Sequence, residues 1–293
     1  MPTSFARPQI NSDERMLWIH AGPHKAASSN VTERLRKNRA ALATQRVLMD
    51  GDNNFLANSI AEKNYQPLEQ ALSGLSSDFK RILISSSSLD TRILKRSVLT
   101  VLRDMASSYG FKLGVSYFIR DQQSWLNSVY CHRVRRFRST PDFPNYCRYI
   151  MNNPGSWDIS YPSKFRALME YPEIVKMFLP LSREVDITDP FLALTSALGL
   201  REPDDHGWLK GEPSKKNIQP GAKGIWMSRI GYQLMESLGF DPDLLNLHST
   251  HRPLATLAQG FFHPDNFVVR REKCDYNTSD HRTKAKKELP GNH

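Results

Sequence analysis

The chain has 293 residues, 39% of them apolar and 24% charged, which gives it the length of one large domain or two small ones and the composition of an ordinary globular protein. Its three cysteines, Cys131, Cys147 and Cys274, are too few and too scattered for a disulfide framework or a metal site, and no apolar run approaches the roughly 20 residues that cross a bilayer. The formal charge of +10 asks for an anionic partner, and nucleic acid, an anionic membrane surface, a polyanionic sugar and a phosphorylated cofactor all answer to it.

The polar, acid-containing residues 1–15 read as a loose arm and not as a secretory signal, so the cytoplasm is the expected compartment. Met16–His20 reads as a short buried strand. After a loop, Val31, Leu35, Ala41 and Leu42 recur at helical spacing, predicting a helix over Ser28–Thr44. Arg46–Met49 is a second strand candidate, closed by the turn-forming Asp50-Gly51-Asp52-Asn53. A helix over Gln66–Leu75 precedes a third strand, Ile82–Ser85, and Asp90 is placed to cap a helix running to Tyr109. Lys112–Ile119 is the longest strand candidate, followed by a helix through "DQQSWLNSVYCHRVRRF". Beyond it come a helix near Ser163–Glu170, a fifth strand, Ile174–Phe178, and helices over Pro190–Leu198 and Lys223–Leu238. The last helix carries Trp226, Ile230, Leu234 and Leu238 on one face, the pattern of a core contact.

Strands that alternate with helices predict βαβ units and a parallel sheet. The expected architecture is a three-layer α/β/α domain over residues 16–270, P-loop-like, with about five parallel strands and a helical C-terminal part. Residues 271–293 lack periodicity and core residues and read as a disordered basic tail.

The stretch "LWIHAGPHKAASSN" has the outline of a strand, a phosphate-cradling loop and a helix. A helix N-terminus turns backbone N–H groups and a positive dipole end toward one point. Lys25 adds a mobile charge, and Ser28 and Ser29 add hydroxyls. A Walker A motif is absent, and a plain β–α turn with a solvent-facing lysine fits the loop alone equally well. A second feature lies in "IRDQQSWLNSVY". It puts Arg120 at a strand's carboxyl end and Ser128 two turns into the next helix, where guanidinium and hydroxyl can clasp one phosphate from two sides. If both features serve one ligand, that ligand carries two separated phosphate groups.

On these two motifs the chain resembles sulfotransferases that use 3′-phosphoadenosine 5′-phosphosulfate (PAPS), in particular their bacterial carbohydrate-type branch. "LWIHAGPHKAASS" is similar to a one-residue-longer form of that branch's L-H-I-G-x-H-K-T-G-T-T loop. Arg120 and Ser128 match an arginine–serine pair eight residues apart. "ILISSSSL" stands where the branch has a Ser-Ser-Glu, and "DPFLALTSALGL" resembles its D-x-x-x-x-L-x-x-L-G-L segment. The resemblance implies transfer of a sulfuryl group from PAPS to a hydroxyl of a carbohydrate or glycolipid acceptor, with no metal. It assigns the 5′-phosphosulfate to Lys25, Ala26, Ala27, Ser28 and Ser29, and the 3′-phosphate to Arg120 and Ser128, with Arg133 or Arg135 beside them.

The chain departs from that pattern at two places. Ala26-Ala27 replaces Thr-Gly, and an alanine is strained wherever the backbone needs a positive φ. The serines Ser85–Ser88 replace the glutamate, so a proton acceptor for the attacking hydroxyl must come from elsewhere. His24 is the substitute by position, with a pKa range suited to the task. A role confined to orienting the loop fits His24 as well. His20 reads as a packed residue with one satisfied bond, and His132 as part of a basic helix face. Asp90 is a further candidate acid/base group, though a helix cap is a sufficient occupation for it. Trp157 and Trp208, in loop-like stretches, are candidates to stack on a sugar. Two other functions stay open: a non-catalytic descendant that binds a nucleotide or a protein partner, and a nucleic-acid binder using the basic run His132–Arg138. The run lacks any accompanying nucleic-acid motif, which disfavours the second. An anionic membrane surface, reached from the cytoplasmic side, completes the set of expected partners.

Overall fold

The computed structural model describes residues 14–239 except 24–25, 52, 136–140, 154–159, 182–188, 205 and 211–221. The apolar runs form five strands: β1 (Met16–Ala21), β2 (Val47–Met49), β3 (Arg81–Ser85), β4 (Lys112–Arg120) and β5 (Val175–Leu181). All pair in parallel, in the order β2-β3-β1-β4-β5. The helices in chain order are α1 (Ser28–Lys37), α2 (Arg39–Thr44), α3 (Phe55–Ala61), α4 (Gln66–Ser73), α5 (Asp90–Ile93), α6 (Arg96–Ser108), α7 (Gln122–Arg135), α8 (Phe143–Asn152), α9 (Tyr161–Met169), α10 (Pro190–Ala197) and α11 (Ala222–Ser237).

The chain divides into two compact units, Met1–Val129 with Tyr149–Ile218, and Tyr130–Arg148 with Gln219–His293. The first holds the sheet. Successive residues of a strand face opposite sides, so Leu17 and Ile19 of β1 enter one core while Met16 and Trp18 enter the other. Both sets are fully buried, which explains why β1 reads as a continuous apolar run and not as an alternating one. The first core is closed by Leu56, Leu68, Leu99 and Phe165 from α3, α4, α6 and α9. The second is closed by Val31, Leu35, Leu42 and Phe191 from α1, α2 and α10. The result is the expected three-layer α/β/α sandwich.

The strand order accounts for this division of helices. The connection from β1 leads to β2 in one direction, and every later connection runs in the other. Right-handed crossovers then place α1 and α2 on one face and α3 to α6 on the opposite face. β1 lies between β3 and β4, so its carboxyl end is where the helices part to either side. In open α/β sheets such a reversal leaves a crevice that receives ligands.

Three departures from the sequence expectations have local causes. The helix expected over Ser28–Thr44 breaks at Asn38, because its carboxamide donates to Arg34 O at 2.8 Å and to Leu209 O at 3.0 Å and accepts from Leu209 N at 2.8 Å. The helix expected over Asp90–Tyr109 is two helices, α5 and α6, and Asp90 is not its cap; the Asp90 carboxylate pairs instead with Lys164. The acidic turn at Asp50 starts an additional helix, α3, by accepting from Leu56 N and Ala57 N at 3.0 Å each.

In the second unit, the Tyr130 ring packs against Phe143 at 5.3 Å and Tyr146 at 5.2 Å, and its hydroxyl donates to Pro141 O at 2.9 Å. The α11 stripe expected to be core is exposed instead, with Trp226 at 59% and Leu234 at 58%. Helical spacing fixes that four side chains share a face but not what covers that face. Among the described residues, no helix is long and apolar enough to cross a membrane.

Candidate functional site

β1 ends in Gly22-Pro23, and Ala26-Ala27 leads into α1. A Cβ on Gly22 would stand 2.7 Å from Ser28 Oγ, so the loop doubles back tightly on the first turn of α1 and a side chain there would have to displace that hydroxyl. Ala26 N donates to Pro23 O at 3.0 Å, which closes the turn. Ala27 adopts φ 61°, ψ −2°, the left-handed conformation, and is the N-cap of α1 without a side-chain cap. A methyl group cannot accept the first-turn amides as Ser, Thr or Asp would. The Ser28 side chain is buried with no hydrogen-bond partner for Oγ among the described residues, while Ser29 is exposed.

A buried polar chain lies beneath the loop. His20 Nδ1 is 2.7 Å from Ser85 Oγ, which is 2.8 Å from Thr32 Oγ1, and Thr32 also donates to the Ser85 carbonyl at 3.2 Å. The chain ties β1, β3 and α1 together. Desolvation holds the His20 imidazole neutral by pushing its pKa down to about 3, and its ring sits edge-on to Phe118 at 5.1 Å. His20 is therefore the packed residue with one satisfied bond that its position implied. Nε2 has no partner among the described residues.

Arg120 is the last residue of β4, on the strand beside β1. Ala21 pairs with Tyr117, so β4 continues three residues past the end of β1 and carries Arg120 alongside the loop's edge of the sheet. Tyr161, the first residue of α9, clamps the Arg120 backbone: its hydroxyl donates to Arg120 O at 2.6 Å and accepts from Arg120 N at 3.1 Å. Burial raises the Tyr161 phenol, so it stays protonated for this bond. Asp121 starts α7 by accepting from Ser124 N at 2.8 Å. That bond, ahead of the opposing burial, lowers its carboxyl pKa. Ser128 lies half-buried two turns into α7.

At the end of β3, Ser86 N donates to His20 O at 3.1 Å, which sets the serine run against the end of β1. Ser86 Oγ accepts from Ser88 N at 3.2 Å and lies 2.9 Å from Ser88 Oγ. Asp90 follows at the start of α5, and its Oδ1 accepts from Lys164 Nζ at 2.7 Å. The lysine side chain is only 4% exposed, against 24% for the aspartate, and Nζ stands 5.1 Å from the Tyr117 ring centroid.

The structure brings together Ala26, Ala27, Ser28 and Ser29 at the β1–α1 junction and places Arg120 at the end of the neighbouring strand. His24 and Lys25, with Arg136–Arg138 and Trp157, lie outside the described residues. Trp208 is not a sugar platform: it is buried, edge-on to Phe191 at 5.3 Å in the α1-side core. Tyr161 and Lys164 are the site residues that sequence reasoning missed. The Ser160-Tyr161-Pro162 helix start was readable, because serine accepts from an amide two or three residues on and proline suits the first turn. Nothing local announced the partners Arg120 and Asp90, which are 41 and 74 residues away. Among the described residues no group of three metal-ligating side chains exists.

No family model matches the chain, and no curated protein matches it. Among solved structures it is similar to a chain from the PezAT chromosomal toxin–antitoxin system of the human pathogen Streptococcus pneumoniae. The two are 12% identical over 77% of this chain and 88% of that chain, with a TM-score of 0.31. That likeness is too loose to carry a fold or a function.

Proposed function

We propose that the protein is a PAPS-dependent sulfotransferase acting on a hydroxyl of a carbohydrate or glycolipid acceptor, from the cytoplasm and at the inner face of a membrane. The observation that carries the reading is the adjacency of two anion-binding features at the sheet's point of reversal. The uncapped N-terminus of α1 follows β1, and Arg120 ends β4 beside it. In this reading the amides of Ala27, Ser28 and Ser29, with Lys25, hold the 5′-phosphosulfate. Arg120 and Ser128 hold the 3′-phosphate. The protein's contribution to transfer is then mainly electrostatic: positive groups fixed before the leaving phosphate develops its charge.

Calorimetry with adenosine 3′,5′-bisphosphate tests the reading. Saturable binding at about 100 μM is expected, and Arg120→Ala is expected to weaken it by at least about tenfold through loss of a charge-assisted contact. No binding by the wild type would sink the reading, and a loss below about twofold in the variant would move the site elsewhere. The strained Ala27 and the serine run favour a second reading, in which the chain keeps the nucleotide and has lost turnover. Release of labelled sulfate from PAPS separates the two.

A further inference from the structure

Resting on the proposed function only for its membrane location, we infer that α11 is the element that meets the membrane. It lies in the plane of an anionic bilayer with its apolar stripe among the lipids.

The helix has an inner and an outer side. Side chains advance by about 100° per residue, which gathers Ile225, Ser228, Arg229 and Tyr232 on one side, and all four are partly buried. Arg229 hydrogen-bonds Tyr130 of α7, and Ser228 and Tyr232 are engaged as well, so this is the docked side. The opposite side holds Trp226, Ile230, Leu234 and Leu238, each between 41% and 63% exposed, with Gln233 and Ser237 exposed among them. None of these six side chains is charged. From Trp226 to Leu238 the stripe runs about 18 Å at the helical rise. Exposed apolar residues scattered singly are ordinary, but a continuous row of four marks a contact surface.

Charge selects the occupant. The unit that contains α11, Tyr130–Arg148 with Gln219–His293, carries 15 lysines and arginines against 9 aspartates and glutamates. It therefore holds +6 of the chain's +10 in 94 of its 293 residues. A second copy would bring a like-charged unit against the stripe, which repulsion disfavours. An anionic leaflet attracts each basic side chain held near its surface. Lipids also rearrange around charges that are spread along a chain, where a folded partner would need a matching pattern. The stripe is the ridge of one helix. A protein would have to offer it a fitted groove, whereas a bilayer admits the apolar face of a helix to a depth of about 5–10 Å. Tryptophan is favoured at that level of the bilayer.

The test mixes the full chain with vesicles of phosphatidylcholine alone, or of phosphatidylcholine and phosphatidylglycerol in equal parts. Binding is read by flotation and by tryptophan emission. The wild type is expected to bind the mixed vesicles at least about tenfold more tightly than phosphatidylcholine alone, with its emission shifted to the blue. Trp226→Phe is expected to float too and to lose most of that shift. The double variant Trp226→Ser/Leu234→Ser is expected to bind at least about tenfold more weakly. The replaced side chains are exposed, so its urea midpoint is expected to stay where it was. Gln233→Leu, which widens the stripe, is expected to tighten binding by about threefold at an unchanged midpoint. A wild type that does not float, or a double variant that binds within about twofold of it, would overturn the assignment. So would a wild-type dimer that the double variant converts to a monomer, because a second copy would then cover the stripe. Calorimetry with adenosine 3′,5′-bisphosphate keeps the two readings apart. Flotation by a chain that does not bind the bisphosphate sinks the sulfotransferase reading and leaves α11 at the membrane, and bisphosphate binding without flotation does the reverse.

Discussion

Ala27 carries the clearest tension in the chain. Its φ of 61° is left-handed, a conformation that costs an L-residue with a Cβ roughly 1–2 kcal/mol. The backbone found here is one that glycine would adopt without strain. Ala27→Gly is therefore expected to stabilise the fold by about 1 kcal/mol, the relief of strain outweighing the added freedom of the unfolded chain. Chemical denaturation measures this directly. A destabilised variant would show that the left-handed turn is not what the alanine resists. The turn keeps its left-handed residue for a local reason. The Ser28 hydroxyl occupies the space a Gly22 side chain would take, Ala26 is bonded back to Pro23, and the apolar α1 side chains lie in the core. Those contacts fix the turn that Ala27 must complete.

At the scale of elements, α1 is held from both ends of its buried face. Thr32 bonds the end of β3, and Arg34 bonds both oxygens of Asp189 at 2.5 Å while its guanidinium lies 4.1 Å from the Phe191 ring centroid. Asp189 also accepts from Phe191 N at 3.0 Å, so one carboxylate caps α10 and fastens it to α1. Asp189→Ala removes the cap and leaves a largely buried guanidinium without its partner. The expected cost is about 3 kcal/mol, read as a shift in urea midpoint. Asp189→Asn, which keeps an acceptor for the cap, is expected to lose less. Equal losses in the two variants would mean that the cap contributes nothing. The break between α1 and α2 belongs to this scale too. Asn38 keeps its ladder bonds, to Arg34 O and from Leu42 N, but leaves helical dihedral angles at φ −95°, ψ 15°, and its carboxamide bonds Leu209 N and O, a contact that the periodicity of Ser28–Thr44 could not reveal.

At the scale of the whole molecule, two of the groups whose proton affinities change on folding set a direction for its response to acid. His20 is neutral and buried with its pKa lowered to about 3 from 6.5. The unfolded chain therefore takes up a proton below pH 6.5 that the folded chain refuses, and stability falls with pH across that window. Burial tends to raise Asp189, but the bond and charge of Arg34 outweigh it and the carboxyl is lowered overall. Its contribution is present above the unfolded carboxylate range and is lost as pH falls through the folded value. Both effects act in the same direction. Between pH 6.5 and 5, where carboxylates scarcely titrate, His20 alone is expected to remove roughly 1.5 kcal/mol. A urea midpoint that stays flat over that interval would show that the imidazole charges without penalty.

Much of the architecture was legible in the sequence. The five apolar runs fall on the five strands because a strand buried on both faces must be apolar throughout, and the intervening helices follow from their own periodicity. The division of helices between two faces follows from right-handed crossovers once the strand order is known. The order itself came only from the fold, since no local pattern says that β4 docks beside β1. The site divides in the same way. The loop residues and Arg120 were candidates on residue type and position in the βα units, which are local signals. The left-handed Ala27, the His20–Ser85–Thr32 chain and the grip of α9 on Arg120 and Asp90 depend on groups tens of residues apart, and only tertiary packing decides which polar groups meet once water is excluded.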